Sequence, residues 1–280
     1  MIVLVCFAIE PDISQLHGRV LSLDENNKVY TEHLRDVINP YDESALEFAL
    51  RLREKAKQNA IPVELHALTI GGENTEIALK TLLALQFDKV FRIEAEQQFI
   101  FSPDVIADAI CHHIETKGGY DMILLGQQTT RGNNGKTPFL ISESLGLPCI
   151  DDIIEVELKT ENRLIVKSEL PRHLVTQTIS TPVILTTGNN LLTKLRVPTL
   201  KDRMVYGKRA VNNILLSSIL TEEQNETLSG DQPVHLSVVE DTRESIYMDG
   251  SHPQDIAHWL LEQFPKSVTP FSDKNCGKTP

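Results

Sequence analysis

Apolar runs and amphipathic segments alternate along the chain up to Leu145. The opening run, Ile2 to Phe7, has no polar residue, which is typical of a strand buried on both faces of a parallel sheet. Three more strands are predicted, at Val63 to Ile70, Lys89 to Ile93 and Met122 to Leu125, each followed by a segment with helical spacing. The helices are Glu73 to Leu85, Pro103 to Thr116 and about Lys136 to Leu145. This alternation predicts an α/β fold with a doubly wound, mostly parallel sheet.

Another helix is predicted between the first two strands. Asn39 precedes Pro40 and two acids, the pattern of an N-cap residue, a first helical position and a negatively charged first turn. Apolar residues continue at helical spacing up to about Gln58, and they are Ala45, Leu46, Ala49, Leu50 and Ala56. The stretch from about Pro11 to Ile38 has no clear period and is expected to be a loop or short hairpin, a kind of connection that often carries function.

The pattern changes after Pro148. Asp152 to Leu158, Arg163 to Glu169 and Val175 to Ser180 are short β-prone runs separated by turn residues, which predicts an antiparallel addition. Val183 to Thr187 is another buried strand. The remaining tail is predicted to contain a basic loop or helix at Thr199 to about Asn212, a polar stretch at Ser218 to Pro233, a strand at Val234 to Val239 and a helix at Pro253 to Phe264. It has too little apolar mass to fold alone, so we expect it to pack on a partner or on the main domain.

Composition narrows the functional classes. The chain carries 39 acidic residues against 27 lysines and arginines, a net charge of −12, which excludes a general nucleic-acid coat. Neither a membrane-spanning run nor a signal peptide is found, and the four cysteines lack C-x-x-C pairing, so free thiols in a reducing cytoplasm are expected. Residue types and spacings nominate no catalytic nucleophile or metal site.

The stretch from Gly126 to Thr137 is the most informative. It leads from a strand end through glycines and small polar residues into a helix start, an arrangement that presents backbone N–H groups to a phosphate. A solvated loop explains the local sequence equally well. Thr130 stands where a P-loop needs glycine, so a Walker A motif is excluded. Ligands of doubly wound sheets bind at the carboxyl ends of strands, so three ends are of interest: Cys6 to Asp12, Thr69 to Gly72 and Gly126 to Gly135.

Several motifs, in order, resemble the β subunit of electron transfer flavoprotein over roughly Met1 to Arg209. The motifs are Asn39-Pro40-Tyr41-Asp42-Glu43, Thr69-Ile70-Gly71, Leu124-Leu125-Gly126-Gln127-Gln128, and Arg196-Val197-Pro198-Thr199-Leu200 with Met204 beyond. The chain departs from the family in the loop, where acids have become Arg131 and Asn133 and a glutamine has become Lys136. A more positive loop should favour a diphosphate or another anion.

The resemblance implies a cytoplasmic electron-carrier subunit rather than an enzyme, with an adenine nucleotide α-hydrolase-like sheet. It implies pairing with a larger α subunit that shares an FAD, AMP or a second FAD in the β site, and an acyl-CoA-type or other flavin dehydrogenase as a redox partner. Leu200 and Met204 would dock on that dehydrogenase. The domains would be residues 1–190 for the nucleotide, 191–212 for docking and 213–280 for a partner-embracing C-terminal arm.

By resemblance, the cofactor-binding residues would come from the first strand end, the start of the following helix, the second strand end and the loop. They are Cys6, Asn39, Pro40, Tyr41, Asp42, Ile70, Gly126, Gln127, Gln128, Thr129, Thr130, Arg131, Gly132, Asn133, Asn134, Gly135, Lys136 and Thr137. An alternative is a stand-alone adenine-nucleotide sensor resembling universal stress proteins. A tail that embraces another chain, with its Leu200 segment, favours the subunit. An ATP-using ligase or hydrolase of that superfamily would need an S-G-G-x-D-S loop, which is absent.

Overall fold

The computed structural model describes residues 1–16, 31, 34–95, 102–130, 135–188, 194–219 and 252–263. The chain divides into two compact units, Met1–Leu236 and Ser237–Pro280. No helix of the described part is both long enough and apolar enough to cross a membrane. The predicted strand at Val234 to Val239, nearly all of the polar stretch before it, and loop residues Arg131, Gly132, Asn133 and Asn134 lie outside the described residues.

The helices and strands follow one another in an α/β order. The strands are β1 (Ile2–Cys6), β2 (Ile9–Pro11), β3 (Asp36–Ile38), β4 (Glu64–Gly71), β5 (Lys89–Glu94), β6 (Met122–Gly126), β7 (Cys149–Ile150), β8 (Ile153–Thr160), β9 (Arg163–Leu170), β10 (His173–Ser180), β11 (Val183–Thr187) and β12 (Asn212–Leu215). The helices are α1 (Pro40–Gln58), α2 (Glu76–Ala84), α3 (Pro103–Thr116), α4 (Thr137–Leu145), α5 (Leu200–Val205) and α6 (Pro253–Gln263). Short 3₁₀ turns precede or follow several of them, at Ile13–Leu16, Glu73–Thr75 and Leu216–Ser218.

In the part of the chain that the structure describes, seven parallel strands form the central sheet in the order β12-β5-β4-β1-β6-β11-β7. The chain builds outward from β1 on one side through β4 and β5, and then crosses to the other side of β1 with β6. This reversal makes β1 the switch point of a doubly wound sheet. Strands β8, β9 and β10 form a separate antiparallel sheet. The predicted fold class, a parallel sheet with an antiparallel addition, is confirmed.

Alternating side chains of the central strands enter two cores. Val3 and Val5 of β1 pack with α1, α2 and the antiparallel sheet on one face, while Leu4 and Cys6 pack with α3 and α4 on the other. All five apolar residues predicted to face inward from α1 are buried. Two-sided burial explains why β1 and β6 are unbroken apolar runs.

Several features differ from the sequence-based expectations, among them the short strands β2, β3 and β7, which were not predicted. The helix predicted to start at Glu73 begins as the 3₁₀ turn Glu73–Thr75 and becomes α-helical at Glu76. Strand β12 was not predicted, because its four residues show no alternation of their own. Its backbone pairs with β5 from Phe91 to Glu94, and this pairing extends the central sheet at that edge.

Candidate functional site

A cavity of about 390 Å³ opens at the carboxyl ends of β1, β4 and β6. This volume lies in the usual range of small-molecule sites. All three strand ends marked in the sequence contribute to its wall, and Ile106 and Ile110 add one face of α3. The cavity therefore combines backbone groups of strand ends and loops with an apolar side, the composition expected of a nucleotide-sized pocket at a switch point.

Asp42, in the first turn of α1, joins two of these strand ends. Its Oδ2 accepts hydrogen bonds from the Ala8 N–H at 2.8 Å and from Asn39 Nδ2 at 2.9 Å. Its Oδ1 accepts the Gly126 N–H at 2.8 Å. One buried carboxylate thus fixes the segment after β1 and the end of β6 relative to α1.

The surroundings of Asp42 have opposing effects on its acidity. Burial disfavours the charged form, whereas the hydrogen bonds from Asn39, Ala8 and Gly126 favour it. Burial is the larger effect, and the carboxylate of Glu10 adds to it, so the pKa of Asp42 is raised to about 6. A buried carboxylate held by N–H donors beside a second acid has a strongly perturbed pKa in a cleft, which marks it as a functional-site candidate.

Glycine is required at position 126 by close packing. A Cβ at Gly126 would lie 2.5 Å from Asp42 Oδ1, 2.6 Å from Tyr41 Cβ and 2.8 Å from the Asp42 nitrogen. Such distances are too short for any side chain, and two of the contacts involve the backbone or Cβ of α1. Gly126 therefore lets β6 end directly against the first turn of α1.

The loop after β6 is also held by α1. Asn39 Nδ2 donates to the Gln128 carbonyl at 2.9 Å, and Gln128 Nε2 donates to the Tyr41 hydroxyl at 2.7 Å. Asn39 stands at the predicted N-cap position, but its side chain makes no capping hydrogen bond. The predicted N-cap position is therefore confirmed, while the side chain of Asn39 bonds to Asp42 and to the loop.

Two buried polar atoms near the cavity have no hydrogen-bond partner in the described part of the chain, Asn39 Oδ1 and Thr69 Oγ1. Thr69 is 1% exposed and contributes to the cavity wall. Since buried polar groups are nearly always paired, the Thr69 hydroxyl suits a ligand that supplies a donor or acceptor. Gly71 and Gly72 beside it present backbone without side chains, so a ligand can come close to this strand end.

The sequence model of the electron transfer flavoprotein domain matches residues 27–214. The chain belongs to the electron transfer flavoprotein family. It is 26% identical over 268 residues to YgcR of Escherichia coli (strain K12), provisionally named an electron transfer flavoprotein subunit, with 94% of this chain and 97% of the relative covered. It is 27% identical over 204 residues to the electron transfer flavoprotein subunit beta of Bacillus subtilis (strain 168), with 72% and 76% covered. The predicted resemblance is confirmed, and the low identities agree with a divergent β-like member.

The structure brings half of the residues nominated by the electron transfer flavoprotein resemblance to the cavity wall. These are Cys6, Asp42, Ile70, Gly126, Gln127, Gln128, Thr129, Gly135 and Thr137. Asn39, Pro40 and Tyr41 are not part of the wall, and Asn39 and Tyr41 support the loop from behind. Thr130 and Lys136 are not part of it either, and the Thr130 hydroxyl donates to Glu10.

Sequence reasoning missed part of the wall of this electron transfer flavoprotein cavity. Glu10 lies within the first marked strand end, but it was not nominated as a site residue. Its burial in the cavity wall, which is unusual for an acid, is seen only in the structure. Ile106 and Ile110 are spaced four residues apart on α3, a signal that predicts a shared face but not which face meets the cavity. Only the three-dimensional arrangement assigns that face to the site.

The segment nominated for docking is exposed. Val197 is 80% exposed, Leu200 75% and Met204 60%. Thr199 caps α5 by accepting the Asp202 N–H at 3.1 Å. Three large apolar side chains at this exposure on one short stretch are typical of a contact surface rather than of core packing.

Proposed function

We propose that this chain is the β-type half of an electron transfer flavoprotein, which pairs with a larger α-type subunit and carries electrons between a flavin dehydrogenase and an acceptor. The α-type subunit would share an FAD with it, and AMP or a second FAD would bind in the cavity. The observation that carries this proposal is the cavity at the carboxyl ends of β1, β4 and β6, which is also lined by the loop after β6 and the first turn of α1. The proposal combines this cavity with the chain's membership of the electron transfer flavoprotein family. A cytoplasmic location stays a prediction.

The described residues fit a nucleotide. Ile70, Ile106 and Ile110 offer an apolar surface for a base, and the Thr69 hydroxyl offers an unmet hydrogen bond. At the N-terminus of α4, close to Gly135, Thr137 would offer its backbone N–H and hydroxyl to a phosphate, since Pro138 has no N–H and the Phe139 N–H donates to the Lys136 carbonyl. The acids Glu10 and Asp42 disfavour phosphate on their side of the cavity, so we expect the phosphate end of the nucleotide near α4.

The protein's own contribution is position and electrostatics, because the redox chemistry belongs to the flavin when it is bound. Asp42 and Asn39 fix the loop against α1, which gives the cavity a defined shape before a ligand enters. A preformed cavity lowers the cost of ordering the loop on binding.

The test is to coexpress the chain with the larger flavoprotein-like subunit, purify the complex and identify the released nucleotides by mass and absorbance. One FAD with one AMP per heterodimer supports an ordinary carrier, and two FAD support a second flavin in the cavity. A stable chain that forms no complex and holds no flavin would overturn the proposal in favour of a stand-alone nucleotide sensor.

Docking is proposed for Leu200 and Met204. Leu200→Ala should lower the rate of electron exchange with the flavin dehydrogenase while the nucleotide content of the complex stays the same, because an apolar anchor contributes mainly at the contact. Leu174→Ala is the matched control, since Leu174 is 61% exposed on β10. Loss of nucleotide from the Leu200 variant would contradict docking and show a structural role.

A further inference from the structure

The docking segment, residues 195–205, presents apolar side chains to solvent, and yet its backbone is held against the rest of the protein. Its largest exposed side chains contribute nothing to the core, so other contacts must hold it in place. Leu195 packs partly against the core beneath α1, and Pro198 is buried. Between these two inward-facing residues stands Arg196, which points to α1.

Arg196 binds Glu47 of α1 through backbone and side chain together. Its backbone N–H donates to Glu47 Oε2 at 3.1 Å, and Nη2 donates to Glu47 Oε1 at 2.8 Å. Its Nε lies 3.1 Å from Oε2 as well, so both carboxylate oxygens are engaged. A second acid of α1, Glu54, accepts from Nη1 at the outer side.

Glu47 is a buried residue of α1 that a second arginine also contacts. It is 3% exposed and also accepts a hydrogen bond from Arg51 Nε at 2.9 Å, one helical turn on. A buried carboxylate is costly unless it is paired and hydrogen-bonded. Here two guanidinium groups provide the pairing, and one of them belongs to the docking segment.

We propose that Glu47 and Arg196 are positioning residues, which clamp the docking segment to α1 and so set the place of Leu200 relative to the cavity. The inference rests on the docking role proposed above. The same helix carries Asp42 at its first turn and Glu47 further along, so one rigid element ties the nucleotide cavity to the docking surface.

The chemistry of the clamp requires arginine. A planar guanidinium can engage both oxygens of Glu47 and also reach Glu54, whereas a lysine ammonium supplies a single point charge on a flexible stem. Arg196→Lys therefore keeps the charge and loses the bidentate geometry. Glu47→Gln keeps the shape and loses the charge.

The first measurement is backbone amide exchange of the full-length chain in its complex, followed by mass spectrometry. We expect Arg196→Lys and Glu47→Gln each to speed exchange in residues 195–205 by at least about tenfold, because the N–H of Arg196 is itself bonded to Glu47. Exchange at Ala8 and Gly126 should stay unchanged. Lys55→Gln is the matched control, since Lys55 also belongs to α1 and, among the described residues, makes an exposed ion pair with Glu155 of β8 at 3.7 Å. Unchanged exchange in both variants would overturn the clamp.

The second measurement is electron exchange with the flavin dehydrogenase. The clamp predicts a raised KM for that partner with little change in kcat and in nucleotide content, a split that a general loss of stability would not give. Faster exchange of the segment with an unaltered KM would leave the clamp standing and overturn the docking role. The two proposals can therefore fail separately.

Discussion

Two buried carboxylates of α1, only five positions apart in sequence, have opposite electrostatic surroundings. Asp42 is 6% exposed and is bonded to neutral N–H groups of Ala8, Asn39 and Gly126. Glu47 is 3% exposed and is bonded to two guanidinium groups. Burial acts on both, but the hydrogen bonds from Arg196 and Arg51 hold the pKa of Glu47 below its ordinary value, while the pKa of Asp42 is raised to about 6.

The difference in surroundings indicates different roles: Asp42 belongs to the candidate site, and Glu47 belongs to the clamp that holds the docking segment. The charge of Glu47 is compensated within the protein, which favours a fixed arrangement. Among the described residues, the charge of Asp42 is compensated by N–H dipoles rather than by a cation, at a cavity wall and with Glu10 nearby, and burial of such a carboxylate lowers the stability of the fold. Proteins depart from local stability rules mainly where function requires it, and this places Asp42 with the candidate site.

The largest effect is expected when the contact between Asp42 and β6 is blocked. Gly126→Ala should lower the free energy of unfolding by about 2 to 4 kcal/mol, because its Cβ would overlap the backbone of α1 and the structure must shift. Nucleotide binding should be lost with it. Chemical denaturation and nucleotide content are the measurements.

Gly72→Ala is the control for this overlap. Gly72 also contributes to the cavity wall, but a Cβ there would meet its nearest atom at 3.7 Å, an ordinary contact. We expect its stability to change by less than about 1 kcal/mol. Equal losses in the two variants would contradict the close-packing explanation of Gly126.

Substituting Asp42 should change the free energy of unfolding by an amount that depends on pH. Because the folded pKa of Asp42 is raised, unfolding releases a proton between about pH 4 and pH 6, and the wild type loses stability as the pH rises through that range. Asp42→Asn removes this loss, so its stability relative to wild type should increase from pH 4 to pH 7, by up to roughly 3 kcal/mol. The loop should meanwhile bind nucleotide more weakly, since an amide cannot accept on both sides. A pH-independent difference in unfolding free energy would contradict the raised pKa.

Glu47→Gln should show the reverse slope. A lowered folded pKa contributes stability above the unfolded value, near pH 4.5, and that contribution is lost as the pH falls through the folded pKa. The variant should therefore be less stable than wild type by about 2 kcal/mol at neutral pH and should approach it in acid. Urea titrations at several pH values would give the free energy of unfolding of each variant relative to wild type. If this difference changed with pH in the same direction for Asp42→Asn and Glu47→Gln, the two carboxylates would not have opposite pKa shifts.

Most of the central sheet could be predicted because its inner strands are buried on both faces and its helices carry apolar residues at helical spacing. Helix α3 and strand β11 have the predicted bounds, Pro103–Thr116 and Val183–Thr187. Strand β12 could not be predicted, since four residues without a period become a strand only through pairing with β5. The local sequence pattern therefore predicted strands that are buried on both faces, and it missed β12, which is a strand only because it pairs with β5.

The candidate site was predictable in part for the same reason. Strand ends of a doubly wound sheet must meet at the switch point, so the backbone side of the cavity followed from the order of elements. The joint between Glu47 and Arg196 lies between residues 149 positions apart. Neither residue carries a local signal of the other, and only the packing of the docking segment on α1 brings them together.

The smallest effect is expected at the rim of the docking segment. Lys201 is exposed next to Leu200, within a basic stretch of an otherwise acidic protein. A rim charge acts mainly by steering encounters, so Lys201→Gln should slow association with the dehydrogenase by no more than about tenfold at low salt, with dissociation unchanged. The difference should shrink as salt rises, since the screening length falls to about 3 Å at 1 M. Stopped-flow association rates at several ionic strengths would measure it. A difference that persists in high salt would mean that Lys201 makes a direct contact, and the apolar anchor at Leu200 would then not be the main source of the docking free energy.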